Sequence, residues 1–123
     1  MLIKELEDRN INFIDSSDNF VGYDYSQCCC EQFGYAVLSD ISDYNNKDVS
    51  DIDVSGEEWV FDTERDPKSV DLGDDYSDDG DAAIAFALKN KSTGDVAYLI
   101  LYNYHNGYYA HGWDSSFAGS GAL

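Results

Sequence analysis

The sequence feature that most constrains the fold is a pair of segments near the C-terminus that are separated by a turn. Residues 82–89 are mostly apolar, and residues 96–104 carry a large apolar or aromatic side chain at every second position. Alternation of this kind is typical of a β-strand that buries one face. The polar sequence at 90–94 ends in glycine, which indicates a hairpin loop. The two segments are therefore predicted to form an antiparallel hairpin.

A third strand is predicted to follow this hairpin. Asn106-Gly107 is a strong signal for a tight turn, and residues 108–113 have the composition of a strand. The sequence thus predicts a three-stranded meander over 82–113. Val96, Tyr98, Ile100, Tyr102 and Tyr104 are predicted to share one face of the middle strand, and Tyr98, Ile100 and Tyr102 are predicted to contribute to the core.

The remaining segments complete the predicted fold. Strands near 20–25 and 57–62 are expected to join the meander, and apolar spacing over residues 2–9 predicts a short helix. We therefore predict an α+β, mainly β fold. It consists of one antiparallel sheet, with the C-terminal meander at its centre and the N-terminal helix on one face. Residues 1–123 are expected to form a single domain with a loosely held tail at about 115–123.

The charge balance narrows the classes of partner. The 123 residues include 25 acidic residues and only 7 Lys or Arg, so the formal net charge is −18 at pH 7. Nucleic-acid binding and adhesion to an anionic membrane both require clustered cations, so we expect neither. The expected partner is a basic protein. The sequence contains neither a leader pattern nor a membrane-spanning stretch, which predicts a cytoplasmic location.

The carboxylates are most concentrated in a single connection. Nine lie within residues 62–81: Asp62, Glu64, Asp66, Asp71, Asp74, Asp75, Asp78, Asp79 and Asp81. Carboxylates held on a folded scaffold can reproduce the charge of a nucleic-acid backbone. A protein that binds nucleic acid through Lys and Arg would then bind this surface instead. The alternative is that the acidity only keeps the chain soluble.

A second acidic stretch has the spacing of a calcium loop. Asp51, Asp53 and Ser55 occupy ligand positions 1, 3 and 5, Gly56 occupies position 6, and Asp62 occupies position 12. Oxygen ligands at this spacing suit a hard divalent cation, and the cation would relieve the repulsion between the carboxylates. The alternative is a solvated acidic turn.

Three consecutive cysteines, Cys28, Cys29 and Cys30, raise the question of thiol chemistry. Their odd number and adjacency disfavour a disulfide framework, so we expect reduced thiols. Side chains alternate along a strand, so Cys28 and Cys30 could share a face with His105 and hold zinc. A reactive thiolate needs a nearby cation or helix N-terminus, and this acidic chain offers few cations. We therefore expect no enzymatic activity.

Two short elements resemble a known family. The first is Cys29-Cys30-Glu31, directly after a predicted strand, and the second is Asn106-Gly107-Tyr108-Tyr109. In this order, with the hairpin between them, they resemble a family of small phage and bacterial proteins of uncharacterised function. The resemblance covers roughly residues 19–113 and implies a phage or prophage setting, but it gives these positions no chemical role. Cys28 and the acidic insertion at 62–81 depart from the family pattern.

The sequence therefore predicts a non-enzymatic phage-type accessory protein that acts in the cytoplasm of the host cell. Its acidic face is expected to bind a basic, nucleic-acid-binding host protein and to inhibit it by imitating nucleic acid. Two alternatives are a calcium-dependent binding module and an interaction protein in which charge has no specific role. Sensitivity to salt supports the first function, and sensitivity to calcium at fixed ionic strength supports the second.

Overall fold

Two antiparallel β-sheets make up the fold in the computed structural model, which describes residues 1–5, 10–24, 32–45, 50–70, 82–104 and 112–123. The strands are β1 (Leu2–Glu5), β2 (Asn10–Ile14), β3 (Phe20–Asp24), β4 (Gln32–Leu38), β5 (Trp59–Phe61), β6 (Lys68–Ser69), β7 (Ala82–Asn90), β8 (Val96–Tyr104), β9 (Gly112–Ser115) and β10 (Ser120–Ala122). A short 3-10 helix spans Ile41–Asn45.

The strands are divided between a sheet A and a sheet B. Sheet A has the order β1-β2-β3-β9-β10, and sheet B has the order β4-β8-β7-β5 with the short β6 also paired to β7. The side chains of Ile11 and Phe13 on β2, and of Val21 and Tyr23 on β3, are buried. The polar Asn10 and Asn12 lie at the intervening positions, as expected for a sheet with one face against the core.

The two sheets pack face to face across one apolar core. The buried side chains of sheet A contact Val37, Phe61, Phe86, Leu88, Leu99 and Leu101 of sheet B. The ring of Phe13 meets that of Tyr35 edge-on, with centroids 4.9 Å apart. The Tyr23 hydroxyl donates a hydrogen bond to the Tyr102 carbonyl at 2.9 Å, which ties β3 to β8. Each large apolar side chain buried here contributes about 1.5–3 kcal/mol.

The outer face of sheet B is also covered. Ile100 is completely buried there among Leu38, Val70, Ala83 and Ala85. Two residues of the 3-10 helix, Ile41 and Tyr44, pack against this second cluster. Because β7 and β8 are buried on both faces, their sequences are long apolar runs rather than strict alternations.

Much of the predicted β structure is confirmed. The chain is mainly β and its sheets are antiparallel. β7 and β8 form the predicted hairpin, and β3 and β5 coincide with the strands predicted near 20–25 and 57–62. Ile100 is fully buried as expected, whereas Tyr98 and Tyr102 on the same face of β8 are half-buried.

The prediction of an N-terminal helix over 2–9 is wrong. Leu2–Glu5 form β1, which pairs with β2 so that Leu2 lies opposite Ile14 and Glu5 lies opposite Ile11. Residues 6–9 lie outside the described residues. A helix this short would be only marginally stable, whereas pairing along β2 satisfies the backbone groups of both strands.

The prediction of a single sheet is also wrong, because the strands form two sheets and the described end of the third predicted meander strand belongs to sheet A. β9 lies between β3 and β10 in sheet A and does not pair with β8. From there the Trp113 ring packs edge-on against Phe86 across the core, with centroids 5.2 Å apart. Alternation over 108–113 predicts a strand but does not specify its partner. Residues 105–111 lie outside the described residues.

The C-terminal residues, which were predicted to form a loosely held tail, contact both sheets. β10 pairs with β9 at the end of sheet A. The Phe117 ring lies 5.1 Å from that of Phe61, between centroids. The Leu123 carbonyl accepts a hydrogen bond of 3.1 Å from the side-chain amide of the buried Asn103. Residues 115–123 therefore pack on both sheets.

One buried carboxylate connects the β2–β3 turn to sheet B. Asp15 is only 4% exposed. Its Oδ1 accepts hydrogen bonds from the backbone N–H groups of Ser17 and Asn19, both at 2.9 Å. Its Oδ2 accepts a hydrogen bond from the Phe61 N–H on β5 at 3.0 Å. A single side chain thus shapes the turn and links the two sheets.

We expect Ile100→Ala to lower the free energy of unfolding by about 2–5 kcal/mol, because it removes a completely buried side chain from the outer cluster. Chemical denaturation measures this change. Val96→Ala is the matched control, because Val96 lies on the same face of β8 but is exposed. The control should change stability by less than about 0.5 kcal/mol. Equal effects would contradict the assigned outer cluster.

We expect Asp15→Asn to destabilise the fold by about 1–3 kcal/mol, because the new NH₂ group would face backbone N–H donors and leave one of them unsatisfied. Asp18→Asn removes the same charge from an exposed residue with φ of 63°, a conformation that Asn tolerates. Thermal denaturation at neutral pH compares the two variants. Equal stability would mean that the Asp15 hydrogen bonds do not support the junction between the sheets.

Candidate functional site

Three of the nine carboxylates predicted for partner binding lie in the described part of the chain, and these are Asp62, Glu64 and Asp66. The other six, which lie outside the described residues, are Asp71, Asp74, Asp75, Asp78, Asp79 and Asp81. Glu64 and Asp66 are exposed, and Asp62 is half-buried. The acidic segment thus begins with one half-buried carboxylate that is followed by two exposed ones.

The connection that carries these three carboxylates is fixed at both ends. β5 and β6 pair with β7, where Phe61 lies opposite Leu88 and Lys68 lies opposite Ala85. The Asp62 N–H donates a further hydrogen bond of 2.9 Å to the Ala87 carbonyl. The connection is thus attached to a strand of the core.

Asp62 also shapes its own turn. Its Oδ2 lies 3.3 Å from Arg65 Nε, and its Oδ1 accepts a hydrogen bond of 3.3 Å from the Glu64 N–H. The ion pair is exposed on the arginine side, so it is worth at most about 1 kcal/mol. It neutralises one carboxylate, while Glu64 and Asp66 present theirs to solvent.

The predicted calcium ligands Asp51, Asp53, Ser55 and Asp62 all lie in the described part of the chain. Within that part, no group of three or more His, Cys, Asp or Glu side chains is placed to hold a metal ion. Asp53 instead closes a turn by accepting a 3.0 Å hydrogen bond from the Ser55 N–H. Hydrogen bonds from the side chain and backbone of Ser55 hold the pKa of Asp53 below its usual value.

The same loop surrounds the amino group of Met1. This group donates hydrogen bonds to the carbonyls of Val54 at 2.9 Å and Gly56 at 2.6 Å. Burial lowers the pKa of the amino group, and the negative charges of nearby acidic residues, Glu58 first, oppose this effect. The backbone of this loop therefore folds around the Met1 amino group, with the carbonyls of Val54 and Gly56 directed toward it.

The signature residues of the resemblance lie outside the described residues: Cys29, Cys30, Glu31, Asn106, Gly107, Tyr108 and Tyr109. Cys28 and His105, considered above as zinc ligands, lie outside them as well. The thiol and zinc hypotheses thus stay sequence-based predictions.

The structure adds a groove on the outer face of sheet A, with a mixed polar and aromatic lining, that the sequence did not predict. Its volume is about 590 Å³, and its lining includes Asn10, Asn12, Phe20, Asp24 and Asp114. In the sequence, Asn10 and Asn12 alternate with the core residues Ile11 and Phe13, and this pattern indicates a strand with one polar face. Asp114 could not be added from sequence, because the position of β9 was predicted wrongly.

The comparisons with known proteins do not assign the chain to a family. No family model matches it, and no curated protein or solved structure shows significant similarity to it. In the described segments, no helix is long and apolar enough to cross a membrane. The function of the chain is therefore inferred from its own residues.

The calcium hypothesis predicts that millimolar calcium raises the melting temperature, because an ion bound only by the native state stabilises it. Asp51→Asn should abolish the rise by removing the first ligand. Scanning fluorimetry at constant ionic strength, with sodium chloride as the control, measures both effects. An equal rise in the parent and the variant would indicate diffuse screening instead of a site at Asp51, Asp53, Ser55 and Asp62.

Proposed function

We propose that this chain is a non-enzymatic accessory protein that binds a basic, nucleic-acid-binding protein through its acidic face. In doing so it competes with nucleic acid for the partner. The binding segment is residues 62–81, which carry nine carboxylates. The observation that supports this most directly is the attachment of the start of the segment to β7, since its exposed carboxylates are then held on a folded scaffold.

The charge of the whole chain supports the same proposal. With 25 acidic residues and 7 Lys or Arg, most carboxylates cannot find an internal cation. Of those in the described connection, Asp62 is paired with Arg65, whereas Glu64 and Asp66 are exposed. Unneutralised carboxylates repel each other, and a cationic partner relieves that repulsion.

The expected mechanism is long-range attraction followed by contact. Exposed charges act over about a Debye length, near 10 Å at 0.1 M salt, so neighbouring carboxylates attract a partner together. A single exposed ion pair is worth under about 1 kcal/mol. The segment as a whole therefore determines the association rate, and no single carboxylate dominates.

The biological setting is proposed from the resemblance to small phage and bacterial proteins. In that setting the protein acts in the host cytoplasm, and the partner is a host protein that handles nucleic acid. The expected attraction does not depend on this setting, since any protein that binds a phosphate backbone with clustered Lys and Arg offers the complementary surface.

Neutralising Asp71, Asp74, Asp75, Asp78 and Asp79 together to Asn should slow association about tenfold or more at low salt and flatten its salt dependence. The single variant Asp75→Asn should have only a slight effect. The measurement is displacement of a fluorescent DNA duplex from purified basic DNA-binding proteins, followed by stopped flow at several salt concentrations.

The matched control carries the same charge change elsewhere. It replaces the five aspartates of residues 40–53, namely Asp40, Asp43, Asp48, Asp51 and Asp53, by Asn. This control should retain most of the association rate if residues 62–81 are the binding segment. Should the variant in 71–79 displace DNA as fast as the parent at low salt, the acidic segment has no role in binding, and its charge serves solubility.

A further inference from the structure

An apolar slot opens between the edges of the two sheets. It lies between β10, at the edge of sheet A, and β6 and β7 of sheet B, and its volume is about 450 Å³. Its lining includes the half-buried Trp113 and Ile84 and the exposed Ala122. None of its described lining residues has a charged side chain, although 26% of the chain is charged. The slot is therefore a solvent-accessible apolar site on an acidic molecule.

Gly121 determines how the Trp113 ring sits in this slot. The two residues pair directly across β9 and β10. A Cβ atom at residue 121 would lie 2.9 Å from Trp113 Nε1 and 3.0 Å from its Cε2, so the indole rests directly against the backbone of β10. On its other side the ring packs edge-on against Phe86, with centroids 5.2 Å apart. The absence of a side chain at Gly121 thus lets an indole ring form one wall of the slot.

The acidic segment is attached to the chain at this slot. Residues 71–81, which lie outside the described residues, contain six aspartates and join the chain at Val70 and Ala82. Val70 and Ala83 both line the slot, and the Val70 N–H donates a hydrogen bond of 3.0 Å to the Ala83 carbonyl. Covalent connection therefore holds both ends of the most acidic stretch of the sequence next to the apolar lining.

We propose that this slot binds an apolar side chain of the basic partner, and that Lys or Arg flanks this side chain in the partner's sequence. The inference rests on the proposed function and deepens it. The acidic segment attracts the partner, and the slot adds an apolar contact at the point where the segment is attached. A large aromatic or aliphatic side chain would pack against Trp113 and Ile84 while its cationic neighbours meet the acidic segment.

The combination of an apolar centre with a charged surround favours this occupant. In protein interfaces, a buried apolar or aromatic anchor surrounded by polar contacts supplies most of the affinity. The cation next to the lining residue Ser69 is Lys68, and its side chain lies on the opposite face of β6. A second copy of this chain would bring its own acidic segment and a further charge of −18 to the same place, so repulsion opposes self-association here.

The test uses two peptides rich in Arg and Lys that have equal length and charge. One has Phe at its central position and the other has Ala, and each is titrated into the full chain at low salt. We expect the Phe peptide to bind about five- to tenfold more tightly, because Phe removes more apolar surface from water in the slot. Isothermal titration calorimetry measures both affinities.

NMR locates the contact without depending on any variant. The chain has only two tryptophans, Trp59 and Trp113, so the two indole N–H signals can be followed separately. The Phe peptide should shift the Trp113 indole signal and the methyl signals of Ile84 and Ala122. The indole signal of Trp59, which is buried in the core and does not line the slot, should not shift.

Two glycine variants form a matched pair. Gly121→Ala places a methyl group against the indole, so it should displace the ring and abolish the five- to tenfold preference for the Phe peptide. Gly112→Ala adds the same group on β9, where the nearest atom is the Gly121 carbonyl oxygen at 3.8 Å, and should keep the preference. Circular dichroism checks that both variants are folded. If Gly121→Ala unfolds, the two peptides and the indole signal of the parent chain decide.

Several results would overturn the slot and leave the proposed function standing, provided that basic proteins still lose their DNA to the chain. These are equal affinities of the two peptides, or signal changes that spare Trp113 and Ile84. Equally tight binding of an uncharged Phe peptide would overturn the assignment to a basic partner. Signals that shift with protein concentration alone would assign the slot to self-association instead. If no basic protein loses its DNA to the parent chain, the proposed function fails, and this inference fails with it.

Discussion

The packing of sheet A against sheet B is the interaction on which the rest of the structure depends. Neither sheet can bury its apolar face alone, so Phe13 and Tyr23 of one sheet require Phe86 and Leu99 of the other. Two hydrogen bonds also connect the sheets. Asp15 accepts one from the Phe61 N–H, and the Tyr23 hydroxyl donates the other to the Tyr102 carbonyl. Because the interior is filled by apolar and hydrogen-bonded groups, the charge of the chain must lie outside it. Asp15 is the one buried acid among the described residues, and three N–H groups compensate its burial.

This arrangement explains how a chain with a net charge of −18 can be folded. Mutual repulsion of carboxylates opposes compaction, and burial in two apolar clusters opposes the repulsion. The covered outer face of sheet B enlarges the apolar interior beyond that of a simple two-sheet packing. Among the described residues, the acidic side chains other than that of Asp15 are exposed or half-buried, so a cationic partner can reach them.

The connection at 62–81 and the groove over Gly22 differ in how their charge is arranged. The connection at 62–81 concentrates charge along the sequence, so it acts through long-range attraction and tolerates single substitutions. The groove over Gly22 has fewer charges, and cross-strand pairing places Asn12 and Asp114 on either side of Gly22.

The sequence by itself determined those elements whose signals are local. The β7–β8 hairpin, β3 and β5 follow from apolar segments and turn residues that are adjacent in the chain, and the excess of carboxylates needs no structure at all. Tertiary structure decided which strands pair with one another. Leu2–Glu5 form a strand because their backbone pairs with the free edge of β2. β9 belongs to sheet A, from which Trp113 packs on Phe86 across the core. The groove depends on Asn12, Gly22 and Asp114, which only the pairing of β2, β3 and β9 brings together. Alternation along a strand specifies which side chains share a face, but pairing between distant segments is set by the burial that the whole fold achieves.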